Sequence, residues 1–307
     1  MSVPKVCVLM STYNGEKFLK QQLVSILNQQ GVAVELHIRD DGSQDSTVDI
    51  LNEFSSEYGN IIFYRGEKNL GPCGSFFELM STEYDADYYA LSDQDDIWDN
   101  DKLLCAVNKL KSLPSDKPAL YHSNLKIVDM NENIIRISHA HPKVSGAEYS
   151  YFAESLVTGC TAVYNKVLAK IISDVKPKKF SMHDTWLYMT ASIFGSVIYD
   201  FEPHINYRQH SGNVIGARKS RFGFESLKRE FKRYFNWNDQ HSFFNAQIMK
   251  KQFGELLDKE TNQKLDELIN YKKSFFSTLR LLIDKSFDSE NLYRRIRFKI
   301  KVLLRNI

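Results

Sequence analysis

The chain has 307 residues, of which 43% are hydrophobic and 25% charged, the proportions of an ordinary globular protein. Its four cysteines (Cys7, Cys73, Cys105 and Cys160) lie far apart with no CxxC pair, which argues against a zinc site or a disulfide framework and for a reducing compartment. No secretory pattern opens the chain and no apolar run approaches the ~20 residues that span a bilayer, so a cytoplasmic location is expected. The net charge of +2 hides an asymmetry: from Arg218 onward there are 21 Lys and Arg against 11 Asp and Glu, while the preceding part is acidic. Two jobs are implied, a globular domain over 1–217 and a basic, mostly helical extension over 218–307.

In chain order, Lys5 to Met10 reads as a buried strand, Thr12-Tyr13-Asn14-Gly15 as a turn, and Glu16 to Gln29 as a helix with Phe18, Leu19, Leu23, Ile26 and Leu27 on its apolar face. Val34 to Arg39 is a second strand running into Asp40-Asp41-Gly42-Ser43, and Asp45 or Ser46 caps a helix through Phe54. Ile61 to Tyr64 is a third strand, Asn69-Leu70-Gly71-Pro72 leads into a helix around Ser75 to Met80, and Tyr88 to Ser92 is a fourth strand. Such alternation implies βαβ units and a mainly parallel, Rossmann-like sheet flanked by helices. Farther on, Ala119 to Asn124 and Lys126 to Asp129 read as two more strands. Thr158 to Tyr164 reads as a turn entering a strand, and Asp184 to Phe194 as a helix; from Phe222 the pattern is helical and rich in Lys, Arg and Phe.

Ligands of open α/β sheets bind beyond the carboxyl ends of the strands, where Thr12-Tyr13-Asn14, Asp40-Asp41 and Asp93 to Asp96 all fall. In Ser92-Asp93-Gln94-Asp95-Asp96 three carboxylates crowd a strand tip, and they repel one another unless a cation sits among them. Asp93 and Asp95 point to one side of an extended chain, a hard oxygen pair for Mn2+ or Mg2+ shared with a diphosphate. The plain alternative is a polar loop in which Asp96 or Asp99 caps the next helix. Asp40 or Asp41 could accept a hydrogen bond from the N3–H of uracil or thymine, or from a ribose hydroxyl; the alternative is an Asx turn. Asp184 suits a general base, with a capping box from Ser181 as its alternative. His210, just before a glycine turn, could close a metal's coordination or touch a diphosphate, with Arg208 supplying charge. Neither GxGxxG nor GxxxxGK[ST] occurs, which weakens dinucleotide and P-loop readings. The tail Tyr293 to Arg305 reads as a packed amphipathic helix or as an attachment to an anionic membrane face, and no nucleic-acid module is present.

Together, Met10-Ser11-Thr12-Tyr13-Asn14-Gly15, Asp40-Asp41-Gly42-Ser43, Asn69-Leu70-Gly71, Ser92 to Asp96, Gly159-Cys160-Thr161, His183-Asp184 and Tyr207-Arg208-Gln209-His210 resemble the inverting nucleotide-sugar glycosyltransferases of family 2, of A-type fold. The likeness runs from about Lys5 to Gly216 and is strongest to bacterial rhamnosyltransferases of surface-polysaccharide assembly. It implies that Thr12, Tyr13, Asn14, Asp40, Asp41, Asn69 and Asp93 line the nucleotide. It implies further that Asp95, His210 and Asp93 hold the metal, and that Asp184 is the base, with His183 where the family usually has Glu. Gly159, His183 and Arg208 are carried along as further site residues. The implied donor is a dTDP- or UDP-linked sugar, dTDP-L-rhamnose first. The implied acceptor is a lipid-linked saccharide or oligosaccharide at the inner face of the cell membrane. Alternatives are a UDP-hexose-dependent transferase, a nucleotidyltransferase, for which the first turn lacks a glycine-rich basic loop, and a membrane-bound partner protein without turnover.

Overall fold

The computed structural model describes residues 2–138, 156–174, 182–210, 241–289 and 292–307. They fall into two compact units, one within Met1–Ala140, Val157–Lys176 and Met182–Ala217, the other holding Leu156 and everything described from His241 onward. The expected boundary at 217/218, the helical start at Phe222 and the cap at Ser181 lie outside the described residues.

In the first unit the strands are β1 (Lys5–Thr12), β2 (Ala33–Asp40), β3 (Ile61–Arg65), β4 (Tyr88–Ser92), β5 (Ile97–Trp98), β6 (Ala119–Val128), β7 (Ile134–Ile137), β8 (Val163–Asn165) and β9 (Ser196–Arg208). The helices are α1 (Leu19–Leu27), α2 (Thr47–Glu57), α3 (Gly71–Met80), α4 (Lys102–Leu110), α5 (Lys166–Ser173) and α6 (His183–Phe194). The strands form one sheet in the order β3-β2-β1-β4-β8-β6-β9-β5, with β7 beside β6. β1, β2, β3 and β4 pair in parallel, as do β6 and β9, whereas β8, β5 and β7 join antiparallel. β1 is central: Val6 to Met10 are wholly buried on both faces, which is why this strand reads as an unbroken apolar run and not as an alternation.

Pairing register carries the site. Thr12 stands beside Asp40 and Met10 beside Ser92, so the three polar tips end at one edge of the sheet. Ser46 stands at the N-cap of α2 without a side-chain cap, and the Oδ1 of Asp45 just before it accepts from the Thr47 amide at 3.0 Å. Asp96 and Asp99 do not cap α4: Asp96 is buried, and Asp99 pairs with the Lys126 ammonium at 2.6 Å. The two strands expected at Ala119 to Asp129 are one, β6, whose register against β9 slips near Asn124 opposite Pro203. That slip also hid β9, where Asp200, Glu202 and Pro203 interrupt the apolar pattern at an irregularity in the ladder.

The second unit contains α7 (His241–Phe253), α8 (Lys259–Asn270), α9 (Phe275–Ile283) and α10 (Leu292–Leu303), as the Lys- and Phe-rich pattern suggested. Asp258 caps α8 and Ser274 caps α9, accepting from the Thr261 amide at 2.8 Å and the Ser277 amide at 3.0 Å. Met249, Leu265, Leu268, Tyr271, Phe287 and Val302 are buried. Among the described residues no helix is long and apolar enough to cross a membrane.

Candidate active site

At the tip of β1, the Thr12 hydroxyl donates to Asp40 at 3.1 Å. Asp40 is wholly buried and also accepts from the Gly42 and Ser43 amides, at 3.1 and 2.9 Å, and from the Ser43 hydroxyl. Asp41 is buried too; the Arg39 guanidinium and the Leu70 and Gly71 amides, both at 2.8 Å, bind its carboxylate. Asn69 donates to the Asp41 carbonyl at 3.0 Å. These carboxylates thus shape the two loops that frame the edge, and the Asx-turn alternative describes their present contacts. Asn14 sits at φ 48° and is pinned on both sides, its amide donating to Ser43 Oγ at 2.9 Å and its side chain accepting from the Gln44 amide at 2.8 Å. Tyr13 is exposed.

Gln94 was missed by sequence reasoning as a site residue. Its amide accepts from the Tyr13 N–H at 2.8 Å and donates to the Tyr13 carbonyl at 3.0 Å, tying the first loop to the carboxylate loop. A Cβ on Gly15 would lie 2.2 Å from Gln94 Oε1, so any larger residue there displaces the Gln94 amide from the Tyr13 main chain.

The structure brings Asp95 and His210 together: the imidazole Nε2 lies 2.7 Å from the carboxylate across 115 positions of sequence. The His210 ring stacks on Phe18 with centroids 4.7 Å apart, and the Arg208 guanidinium sits 4.8 Å from the same ring while donating to Gln21 at 2.8 Å. Phe18 therefore orients both groups, a role its place on an apolar helix face did not reveal. Asp93, expected to share the metal with Asp95 and His210, instead gathers with Asp96 and Cys160, their ligand atoms all within 4.8 Å of one another. Burial, then the charges of Asp95 and Asp184, push the Asp93 carboxyl above its ordinary range, and burial with the Asp95 and Asp93 charges does the same to Asp96. One buried oxygen of Asp96, Oδ2, has no hydrogen-bond partner. The Asp95 carboxylate with the His210 imidazole, and the neighbouring crowded Asp93 and Asp96 carboxylates, offer oxygen and nitrogen donors of the kind a divalent cation takes.

Asp184 lies in the first turn of α6 and is buried. Its Oδ1 accepts from the Thr185 amide at 2.6 Å and from the Thr185 hydroxyl at 3.3 Å. Burial outweighs these bonds and pushes the carboxyl up to about 6. His183 is buried against Phe76, ring centroids 4.2 Å apart, and burial pushes it down to about 3, so the ring is neutral. A Cβ on Gly159 would meet His183 Nε2 at 2.8 Å, which explains the glycine in that turn. A carboxyl near 6, electrostatically coupled to Asp93, can take a proton from a hydroxyl at neutral pH.

Residues 7–171 match the family described as Glycosyl transferase family 2. A dTDP-rhamnosyl transferase of Shigella flexneri, RfbG, is 32% identical over 274 residues, covering 81% of this chain and 91% of that protein. In three dimensions the chain resembles S. aureus TarS 1-349, solved in complex with UDP-GlcNAc (TM-score 0.58, 15% identity, 96% of this chain and 78% of that one). It also resembles the mannosyltransferase PcManGT of Pyrobaculum calidifontis, solved with GDP-Man and Mn2+ (TM-score 0.52, 14% identity, 99% and 86%). The sheet and its flanking helices form the A-type glycosyltransferase fold, and the chain belongs to glycosyl transferase family 2.

Proposed function

We propose that the chain transfers L-rhamnose from dTDP-L-rhamnose to a saccharide hydroxyl with inversion, in the assembly of a cell-surface polysaccharide. The choice of rhamnose rests on the likeness to the Shigella flexneri dTDP-rhamnosyl transferase, which extends over 91% of that protein. The observation that carries the chemistry is the buried Asp184 carboxyl, raised to about 6 beside the acidic cluster.

In this reading Tyr13 and Asn69 flank the base, while Thr12, Asn14, Asp40 and Asp41 hold the loops that receive the nucleotide. Asp184 removes the proton of the acceptor hydroxyl as its oxygen attacks the anomeric carbon. The bond from that carbon to the diphosphate oxygen breaks, and the dTDP leaves with the electron pair. A single displacement of this kind inverts the anomeric centre. A divalent ion, Mn2+ or Mg2+, held by Asp95 and His210 with Asp93 beside them, would supply positive charge for the departing diphosphate. Arg208 adds fixed positive charge behind Phe18. The acceptor is a lipid-linked or free oligosaccharide, and the basic C-terminal part rests on the inner face of the cell membrane.

A donor screen with dTDP- and UDP-linked sugars, with Mn2+ or Mg2+, tests the assignment. Turnover of dTDP-L-rhamnose above every UDP-hexose is expected. Preferred use of a UDP-hexose overturns the donor, and pyrophosphate release from a nucleoside triphosphate overturns the reaction class.

A further inference from the structure

The helical unit carries an apolar surface that its own packing leaves bare. α9 buries Thr278 and Leu281 on one side. At 100° per residue its opposite side presents Phe275, Leu279, Ile283 and Phe276 as one continuous arc. Phe275 is 72% exposed, Phe276 80% and Ile283 68%. A solvated helix places polar groups there; this one has an apolar stripe on both sides. α10, which packs against α9, repeats the pattern with exposed Leu292, Ile296 and Leu303. Cations border both stripes: Lys273, Arg280 and Lys285 around α9, and Arg295, Arg297 and Arg305 on and just beyond α10.

We propose that this face of α9 and α10 docks on an anionic bilayer, with Phe275 and Phe276 entering the headgroup–acyl boundary. Charge complementarity selects that occupant: bulky apolar groups ringed by Lys and Arg fit a surface apolar below and negative above. Two aromatic rings adjacent in sequence at the first turn of a helix form a compact wedge, and their ring centroids lie 6.0 Å apart. The proposal rests on the membrane-surface reading given above but moves the apolar anchor from the terminal helix to α9.

Co-sedimentation of the full chain with phosphatidylcholine vesicles, with and without phosphatidylglycerol, tests it. The wild-type chain should bind only the anionic vesicles, and more weakly at high salt. Phe275→Ser/Phe276→Ser should lower vesicle affinity at least about tenfold, since each ring forfeits the burial of a large apolar side chain. The same variant should transfer sugar to a soluble acceptor at the wild-type rate. If it binds vesicles as wild type does while Arg295→Glu/Arg297→Glu does not, the α9 anchor is wrong and the membrane reading stands. If the wild-type chain ignores anionic vesicles, both fall. A change in the sedimentation coefficient of the double Phe variant without vesicle binding would instead make this face a contact between copies of the chain.

Discussion

Replacing Gly15 by Ala probes the strap between the two loops of the active site. The three atoms nearest a Cβ at position 15 all belong to the Gln94 amide, at 2.2, 2.6 and 3.1 Å. Gly15 does not lie in the left-handed region, so Ala can adopt its backbone once that amide moves away. Moving it breaks both hydrogen bonds to the Tyr13 main chain. At about 0.5–1.5 kcal/mol each, their loss costs about 1–3 kcal/mol, toward the lower end because the pair is partly exposed. Gln94→Ala loses the same two bonds by deletion. The two substitutions remove one interaction by different routes, so the double variant should be no worse than either single one. A coupling of about 1–2 kcal/mol is therefore expected in a double-mutant cycle. Urea unfolding at unchanged m reads the stabilities, and titration with dTDP reads the effect on the loop that bears Tyr13. Strict additivity, or a Gly15→Ala chain as stable as wild type, would refute the strap.

Asp184→Asn should lower transfer by about 10²–10⁴-fold while nucleotide binding survives, and normal turnover would reduce Asp184 to a helix-end residue. Because the base works ionised and its carboxyl is raised to about 6, kcat should climb as pH rises through 6 and then level; a profile flat from pH 5 to 8 contradicts the assignment. Asp95→Ala or His210→Ala should weaken Mn2+-dependent donor binding, measured by calorimetry, and unchanged affinity in both would remove the metal assignment. His122 is buried without a hydrogen-bond partner on either ring nitrogen, and burial pushes it down to about 4. Its folded pKa lies below the unfolded value near 6.5, so the unfolded chain takes up the proton first. The stability held by the neutral ring is complete above pH 6.5 and lost as pH falls toward 4. His122→Phe should flatten the fall in unfolding free energy across that window by roughly 3 kcal/mol in total, and parallel curves for the two chains would count against it.

The first four parallel strands were legible because each is a short apolar run closed by polar or turn residues, and their tips carry the site by the rule for open sheets. What the residues did not disclose depends on pairing. β9 carries Asp200 and Glu202 within it and is a strand because β6 and β5 hold it from both sides. Asp40 and Asp41 looked like groups waiting for a base. Their carboxylates are turned into loop amides, which a residue type at a strand tip does not disclose. Gln94 escaped notice because its function lies in one amide meeting the main chain 81 positions away. Asp95 and His210 could be named as partners by likeness to the family; their meeting at 2.7 Å depends on Phe18, whose ring reads from sequence as ordinary helix packing.

The distance in sequence between Asp95 and His210 also sets an order of events during synthesis. A nascent chain that has emerged as far as Asp96 owns the four parallel strands β1 to β4 and the Asp95 carboxylate, but not the imidazole that completes the pair. Closing a contact 115 positions long comes late relative to local helices and neighbouring strands. The Asp95–His210 pair is therefore made only once the sheet beneath it has already been assembled.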